Sequence, residues 1–403
     1  MLAVSSLCLL SGCYFALVIA PVALGGKAPT VQQGLFPEWL GVREILQRGN
    51  PYRQEVTDQI QVASYGSTPP GKRVNQQRFA YPVYFAFLFL PLAVFPFSVA
   101  RILAFAGCLA STIATVHLWC RWRGWQPAAT VIVGLFVFAS YPAILGLQLC
   151  QPSLLIAGLL AVVVYWVHSG RLVPAGILAA LCSAKPQLAV AVLLPLSIWA
   201  AAQWHTRKRF VMAYGCSLSA LLLASDVLVP GWFPQWLTTI RAYSDYAGSK
   251  PLLADLLHAH FVWGTASLLV IATAWISHKF CEVDLLFAIS FSIAVFQLLF
   301  PFLLYNEILL LPATLWLVRT PAEVKTAGQI FELLWGCCWA LLIAGAAASL
   351  GLAVSNLIVP GSGLKLWQLP FVAAWLYPWS VLLALACYAA CWRVRFGGAK
   401  VRP

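Results

Sequence analysis

Charged residues are scarce in this chain. Of its 403 residues only 9% are charged and 62% are hydrophobic, whereas a soluble domain has about 25% charged and about 45–50% apolar residues. This composition excludes an ordinary soluble globular protein and a disordered chain. It also excludes a nucleic-acid-binding protein, although a net charge of +13 would suggest one in a soluble protein. The composition is that of a membrane protein, and 18 Trp and 13 Tyr fit many crossings of the membrane–water interface.

Nucleotide-binding and metal-binding motifs are also absent from the sequence. It contains no GxGxxG segment and no P-loop, so we expect no nucleotide-binding unit and no ATP hydrolysis. The 12 cysteines form no CxxC pair and lie mostly inside apolar runs, where free cysteine behaves as a small buried apolar residue. His258 and His260 are the one close pair of histidines, and their spacing does not place them on one helix face. We therefore predict neither a cofactor nor a metal site.

Twelve apolar segments come close to the length of about 20 residues that a membrane-spanning helix requires. They are 2–24, 98–119, 126–146, 151–167, 172–189, 188–204, 210–229, 257–277, 284–303, 305–318, 328–352 and 368–392. A further apolar stretch at 80–97 is interrupted by Pro82, Pro91 and Pro96, which disfavour a continuous spanning helix. We predict that this stretch lies at the membrane surface or re-enters the membrane. The predicted fold is all-α, with about 12 transmembrane helices in a single integral membrane domain over residues 1–403.

The distribution of basic residues predicts the orientation. When the spans alternate, thirteen of the 25 Lys and Arg residues fall on one side: Arg121, Arg123, Arg171, Arg207, Lys208, Arg209, Lys279, Arg319, Lys325, Arg393, Arg395, Lys400 and Arg402. The positive-inside rule makes that side cytoplasmic. Both termini are then cytoplasmic, and residues 25–97 form an external loop with its juxtamembrane segment. If 80–97 were a full span, the 25–79 loop would be cytoplasmic instead. We predict a location in the plasma membrane, the inner membrane of a bacterium.

The first loop is the longest, and long loops in compact folds are usually functional. The other long predicted loops, 230–256 and 353–367, lie on the same external side, so we expect the working face there. Within the first loop, a stripe of apolar residues at helical spacing predicts a short amphipathic helix from Phe36 to Gln47. Pro37 suits its first turn and Gly49 suits its end.

Ionisable residues beside apolar segments are the first candidates for a functional site, because they are costly there unless paired or used. Lys185 lies next to the helix-breaking Pro186 at the external end of two apolar segments. Its ammonium could hold a lipid phosphate as a point charge, or it could extend to a lipid headgroup. Arg78 and Arg101 allow the same two interpretations, a phosphate groove or an interfacial anchor. Glu307 lies between two predicted spans on the external side.

Two amides lie where the third predicted span ends. Gln148 and Gln151 flank Cys150 and precede Pro152. Their side chains could bind sugar hydroxyls, or they could pair with backbone groups that the proline leaves open. The sequence does not separate these two explanations.

Several short motifs follow one another in order along the chain: FPEWLGVREIL at 36–46, NPY at 50–52, QRFAYP at 77–82, the glutamines of 148–151, and AKPQ at 184–187. Their order and spacing resemble those of glycosyltransferase family 87, over residue 1 to about residue 310. The resemblance implies a polytopic enzyme of the GT-C type with juxtamembrane helices in its first external loop. It also implies an external active site and a polyprenyl-phosphate sugar donor, often of mannose. The acceptor would be a lipid or a glycan.

Members of that family usually carry an Asp near the start of the first loop, which is thought to act as the catalytic base. The resemblance places Gly34 at that position. The nearest carboxylate is Glu38, one helical turn later, so Glu38 is the candidate base and Glu307 the reserve. Lys185, Arg78 and Arg101 would then hold the donor phosphate. The candidate contacts to the sugar or the acceptor are Tyr52, Gln148, Gln151 and Asn306.

Three functions are compatible with the sequence. The first is the membrane glycosyltransferase, a hexosyltransferase. The second is a family member without catalysis that binds a glycolipid or a partner enzyme, which the missing Asp suggests. The third is a polytopic transporter or flippase, which predicts an internal repeat; none is evident between residues 1–200 and 201–403.

Overall fold

The computed structural model describes residues 29–66, 77–247, 251–257, 259–301, 303–319, 321–358 and 368–396. These residues form helices joined by short turns, and the one β-type pairing among them is an isolated bridge between Pro251 and Pro301. The α-helices are α1 Pro29–Leu46, α2 Gln54–Tyr65, α3 Phe85–Ala93, α4 Phe97–Trp122, α5 Pro127–Ala139, α6 Tyr141–Gln148, α7 Pro152–His168, α8 Leu172–Cys182, α9 Pro186–Ala202, α10 Trp204–Leu228, α11 Trp232–Ala247, α12 Leu252–Leu256, α13 Ala259–Phe280, α14 Leu285–Leu299, α15 Leu311–Trp316, α16 Pro321–Ala327, α17 Gln329–Ile358 and α18 Gln368–Phe396. A 3-10 helix, Leu304–Leu310, precedes α15. The all-α prediction is confirmed for this part of the chain.

Five of the described helices are long and apolar enough to cross a membrane, namely α4, α10, α13, α17 and α18. Helices α5 and α6 would add a sixth span if they form one broken span, because they meet at an angle of 67°. Four shorter apolar helices, α7, α8, α9 and α14, have 10–17 residues. Several membrane-capable helices indicate a membrane protein. The count of twelve spans stays a prediction, and its first span, 2–24, lies outside the described residues.

Besides the segment 172–189, which is broken between α8 and α9, two of the predicted spans are interrupted in the structure. The segment 126–146 divides at Ser140, whose backbone is extended, and Pro142 lies in the first turn of the new helix α6. The segment 305–318 is a 3-10 helix followed by the six-residue helix α15. At about 1.5 Å per residue, α15 is far shorter than the hydrocarbon core of about 30 Å. Hydropathy alone detects neither break, since both segments are apolar on average.

The described part of the first predicted loop, residues 29–66 and 77–79, is largely helical. The amphipathic helix predicted from Phe36 to Gln47 lies within the longer helix α1, apart from its last residue. The stretch 80–97 contains the nine-residue helix α3, which ends just after Pro91. Such a helix rises about 14 Å and does not cross a bilayer. Whether it lies on the membrane or re-enters it remains a prediction.

One core joins the first loop to the membrane-capable helices. Leu35, Val42 and Phe79 belong to the same buried apolar cluster as residues of α4, α7, α9 and α14. Small residues allow close helix contacts within this core: Gly158 of α7 faces the backbone of Ser111 in α4, and Gly176 of α8 faces the backbone of Phe210 in α10. Helix α1 is thereby held against the turn between α6 and α7, where the candidate residues converge.

Candidate active site

Gly34 is the point at which α1 touches the α6–α7 turn. A Cβ built on Gly34 would overlap the backbone oxygen of Leu149. The Gln151 side chain also donates a hydrogen bond from Nε2 to the Gly34 carbonyl oxygen at 3.4 Å. Position 34 therefore has no room for any side chain, and an Asp would not fit there. Its glycine serves backbone packing.

Glu38 lies one turn further along the same face of α1. It is 6% exposed, and its Oε2 atom has no hydrogen-bond partner among the described residues. Burial raises the pKa of the Glu38 carboxyl to about 7, against the effects of a backbone hydrogen bond, the Lys185 charge and the Tyr81 hydroxyl. A carboxyl with a pKa near neutrality is suited to accept a proton at physiological pH.

Lys185 occupies the break between α8 and α9. Pro186 begins α9, and the Lys185 side chain before it is buried, with 3% of its surface exposed. Its ammonium donates a hydrogen bond to Ser153 Oγ and lies 5.2 Å from the centre of the Tyr305 ring and 6.0 Å from that of Tyr81. These neighbours are neutral. A buried ammonium with neutral contacts is suited to an anionic ligand.

Tyr81 connects the two charged groups. Its hydroxyl forms a hydrogen bond with the Glu38 carboxyl, and its ring is one of the two beside the Lys185 ammonium. The ion pair of Arg207 with Glu282 lies elsewhere in the molecule, and no such pair is found between the described residues Glu38 and Lys185. Glu38 and Lys185 thus act on each other through space without a direct salt bridge.

Ser153 and Asn306 extend the polar cluster. The Ser153 hydroxyl donates to Asn306 Oδ1 at 2.7 Å, and Gln297 Nε2 donates to the Asn306 carbonyl oxygen at 2.9 Å. The predicted contact residue Asn306 is therefore held next to Lys185 through one hydroxyl. We refer to Glu38, Tyr81, Ser153, Lys185 and Asn306 as the polar cluster.

The other predicted residues differ in what they contact. Arg101 is 9% exposed, and its charge acts on the Cys150 thiol together with that of Glu38, so it lies by the α6–α7 turn. The Tyr52 hydroxyl donates to the Tyr81 carbonyl oxygen at 2.7 Å and so positions that residue. Arg78 is half-buried three residues before Tyr81, and Gln148 is half-buried at the end of α6. Gln151 is buried and supports Gly34 as described above.

Glu307 points elsewhere. It is 7% exposed and lines a cavity of about 370 Å³ between α5, α6, α15, α17 and α18. Its neighbour Asn306 belongs to the polar cluster. Two consecutive residues of the 3-10 helix therefore contact two different sites, the polar cluster and the cavity. In the described part of the chain, no group of three His, Cys, Asp or Glu residues could hold a metal ion.

The sequence does not single out two members of the polar cluster. Tyr81 enters the sequence prediction only within the QRFAYP motif, and Ser153 does not enter it. A hydroxyl directly after Pro152, at the start of an apolar helix, is the signal that could have drawn attention to Ser153. Their importance depends on contacts with residues far away in the chain.

The comparisons with known proteins identify the family of the chain. Residues 79–302, more than half of the chain, match the model of glycosyltransferase family 87. The matched segment includes Tyr81, Ser153 and Lys185, but not Glu38 or Glu307. The chain matches no curated protein. It belongs to glycosyltransferase family 87.

Proposed function

We propose that this protein transfers a sugar, mannose or another hexose, from a polyprenyl-phosphate donor to a hydroxyl of a lipid or glycan acceptor on the external face of the plasma membrane. Membership of the family implies glycosyltransferase activity. The donor, the acceptor and the face are the proposed part. The observation that carries the proposal is the approach of Glu38 and Lys185 around Tyr81 in a buried cluster.

In this proposal Glu38 acts as the general base. Its Oε2 atom has no hydrogen-bond partner within the described residues and can accept the proton of the acceptor hydroxyl. The acceptor oxygen then forms a bond to C1 of the sugar. The bond between C1 and the phosphate oxygen breaks, and its electron pair leaves with the lipid phosphate.

Lys185 would stabilise the departing phosphate. The leaving group gains negative charge as the bond breaks, and a cation fixed in a water-poor site stabilises that charge more than it would in water. Arg101 and Arg78 are the further cations of the proposed phosphate site. Tyr52 and Gln151 are assigned a supporting role, because their hydrogen bonds hold Tyr81 and Gly34.

The surroundings of the cluster support a lipid-linked donor. Lys185 lies between two short apolar helices, α8 and α9, and the exposed face of α3 nearby carries Phe87 and Leu90. These surfaces suit a phosphate attached to a long hydrocarbon chain. The external location rests on the thirteen basic residues predicted to be cytoplasmic.

Substitution of the two charged residues tests this mechanism. We expect Glu38→Gln to lower transfer by about 100-fold to 10,000-fold, since the amide cannot take up a proton. We expect Lys185→Met to lower it by about 100-fold to 1,000-fold. The assay incubates the purified full chain with a panel of polyprenyl-phosphate sugars and a lipid extract, and identifies products by mass spectrometry.

Glu44→Gln, on the same helix, and Lys279→Met, on the exposed surface of α13, are the matched controls and should keep wild-type activity. Transfer that survives both Glu38→Gln and Glu307→Gln would rule out the carboxylate mechanism. A folded wild-type chain that transfers no sugar from any donor of the panel would favour the non-catalytic family member.

A further inference from the structure

The cavity beside Glu307 lies outside the polar cluster and has an unusual wall. Most of it is apolar, contributed by residues such as Ile132, Leu311 and Ala373. Ile132 is 48% exposed on the outer surface of α5, so the wall continues onto the apolar exterior of the molecule. Ile343 of α17, beside the lining residue Leu342, is 57% exposed. In a membrane protein such a surface faces lipid.

Some of the polar groups in the wall are satisfied by the protein. The hydroxyls of Thr314 and Tyr377 form a hydrogen bond with each other at 2.6 Å. The Ser140 hydroxyl donates to the Val137 carbonyl oxygen at 2.6 Å. These groups require nothing from a ligand.

Two other groups in the same wall differ. The Glu307 Oε1 atom and the Trp339 Nε1 atom are buried and have no hydrogen-bond partner among the described residues. One is an acceptor and the other is a donor. Leaving a buried polar atom without a partner costs about 1–3 kcal/mol, so such atoms in a cavity indicate a ligand that satisfies them.

We infer that this cavity binds a neutral lipid through its hydroxyl group. A hydroxyl donates and accepts, so it matches a carboxyl oxygen on one side and an indole N–H on the other. The apolar wall contacts the hydrocarbon part of the lipid. An anionic lipid would meet the Glu307 carboxyl, and an ammonium could not accept from Trp339.

The lipid site is independent of the proposed sugar transfer. Asn306 and Glu307 lie on the two sides of the 3-10 helix, so the lipid is adjacent to the polar cluster without being part of it. Binding can be measured without a sugar donor, and the two proposals can therefore fail separately.

The test uses the purified full chain and a long-chain alcohol that carries a photoreactive diazirine. The control probe is the methyl ether of the same alcohol, which cannot donate a hydrogen bond. We expect the alcohol to label peptides of α5, α6, α17 or α18 about fivefold more than the ether, as one hydrogen bond provides. We expect Trp339→Phe to reduce labelling by the alcohol about fivefold, because the ring is kept and only the N–H is lost.

Trp335→Phe is the matched control, because the Trp335 N–H donates to the Leu317 carbonyl oxygen and does not serve the cavity. It should label as the wild type does. Glu307→Met should remove the preference for the alcohol. If that variant does not fold, the Trp339→Phe comparison still decides. Equal labelling by alcohol and ether, labelling confined to other helices, or an unchanged Trp339→Phe variant would overturn the inference.

Discussion

At the scale of single residues, scarcity of charge makes each buried ionisable group informative. Lys185 could be predicted from the sequence as a candidate because it adjoins two apolar segments, and Glu38 became a candidate through the family resemblance, as the carboxylate nearest to Gly34. Gly34 could not be explained in the same way. Its role depends on the backbone of Leu149, more than one hundred residues later, and no local pattern reveals such a contact.

The pKa of Glu38 predicts how activity depends on pH. Burial raises that pKa to about 7, and only the ionised carboxylate can accept a proton. Activity should therefore rise as pH rises through about 7. Below that pH it should fall by about tenfold per pH unit, since the ionised fraction falls by that factor. The measurement is the initial rate of transfer by the purified chain across the neutral range.

The residual activity of Glu38→Gln serves as the control for this profile and should not change through pH 7, because the amide does not ionise. A wild-type profile that is flat through the same range would contradict the role of Glu38 as base, even if the Glu38→Gln variant were impaired.

A second residue-scale prediction concerns Gly34. We expect Gly34→Ala to destabilise the protein by about 1–3 kcal/mol, because its Cβ would overlap the Leu149 carbonyl oxygen and separate α1 from the α6–α7 turn. Gly107→Ala in α4, where a Cβ meets no atom within 4 Å, should be neutral or slightly stabilising. Thermal unfolding of the two purified variants provides the comparison. Equal unfolding temperatures would show that position 34 tolerates a side chain.

At the scale of elements, hydropathy predicts where a helix forms more reliably than it predicts whether that helix is continuous. The long helices α4, α10 and α17 coincide with predicted spans, since each contains a long apolar stretch. The α5–α6 segment is equally apolar, yet it bends by 67° at Ser140. The 3-10 helix at Leu304–Leu310 places Asn306 and Glu307 in two different sites. Both breaks bring polar groups to the protein interior, and tertiary contacts decide where they point.

The junctions between elements also form the polar cluster. Lys185 lies between α8 and α9, and Ser153 lies in the first turn of α7. Tyr81 precedes α3. The ends of helices leave backbone N–H and C=O groups without partners inside the helix. Polar side chains of an apolar protein therefore cluster where several helices end. Sequence alone locates these ends through proline, at Pro152 and Pro186, but it does not bring them together.

At the scale of the whole molecule, orientation decides whether the polar cluster meets its substrates on the external face. The first loop carries the exposed residue Glu55, and the basic start of α10 carries the exposed residue Lys208. We expect Glu55→Cys in intact cells to react with a membrane-impermeant maleimide, because the distribution of the thirteen basic residues predicts that its side is external. We expect Lys208→Cys to react only after the membrane is opened. Both variants keep the native cysteines, so the labelling of the unsubstituted chain is measured as the background. If Lys208→Cys reacted in intact cells and Glu55→Cys did not, the topology would be the reverse of the predicted one. The proposed transfer would then take place on the cytoplasmic side.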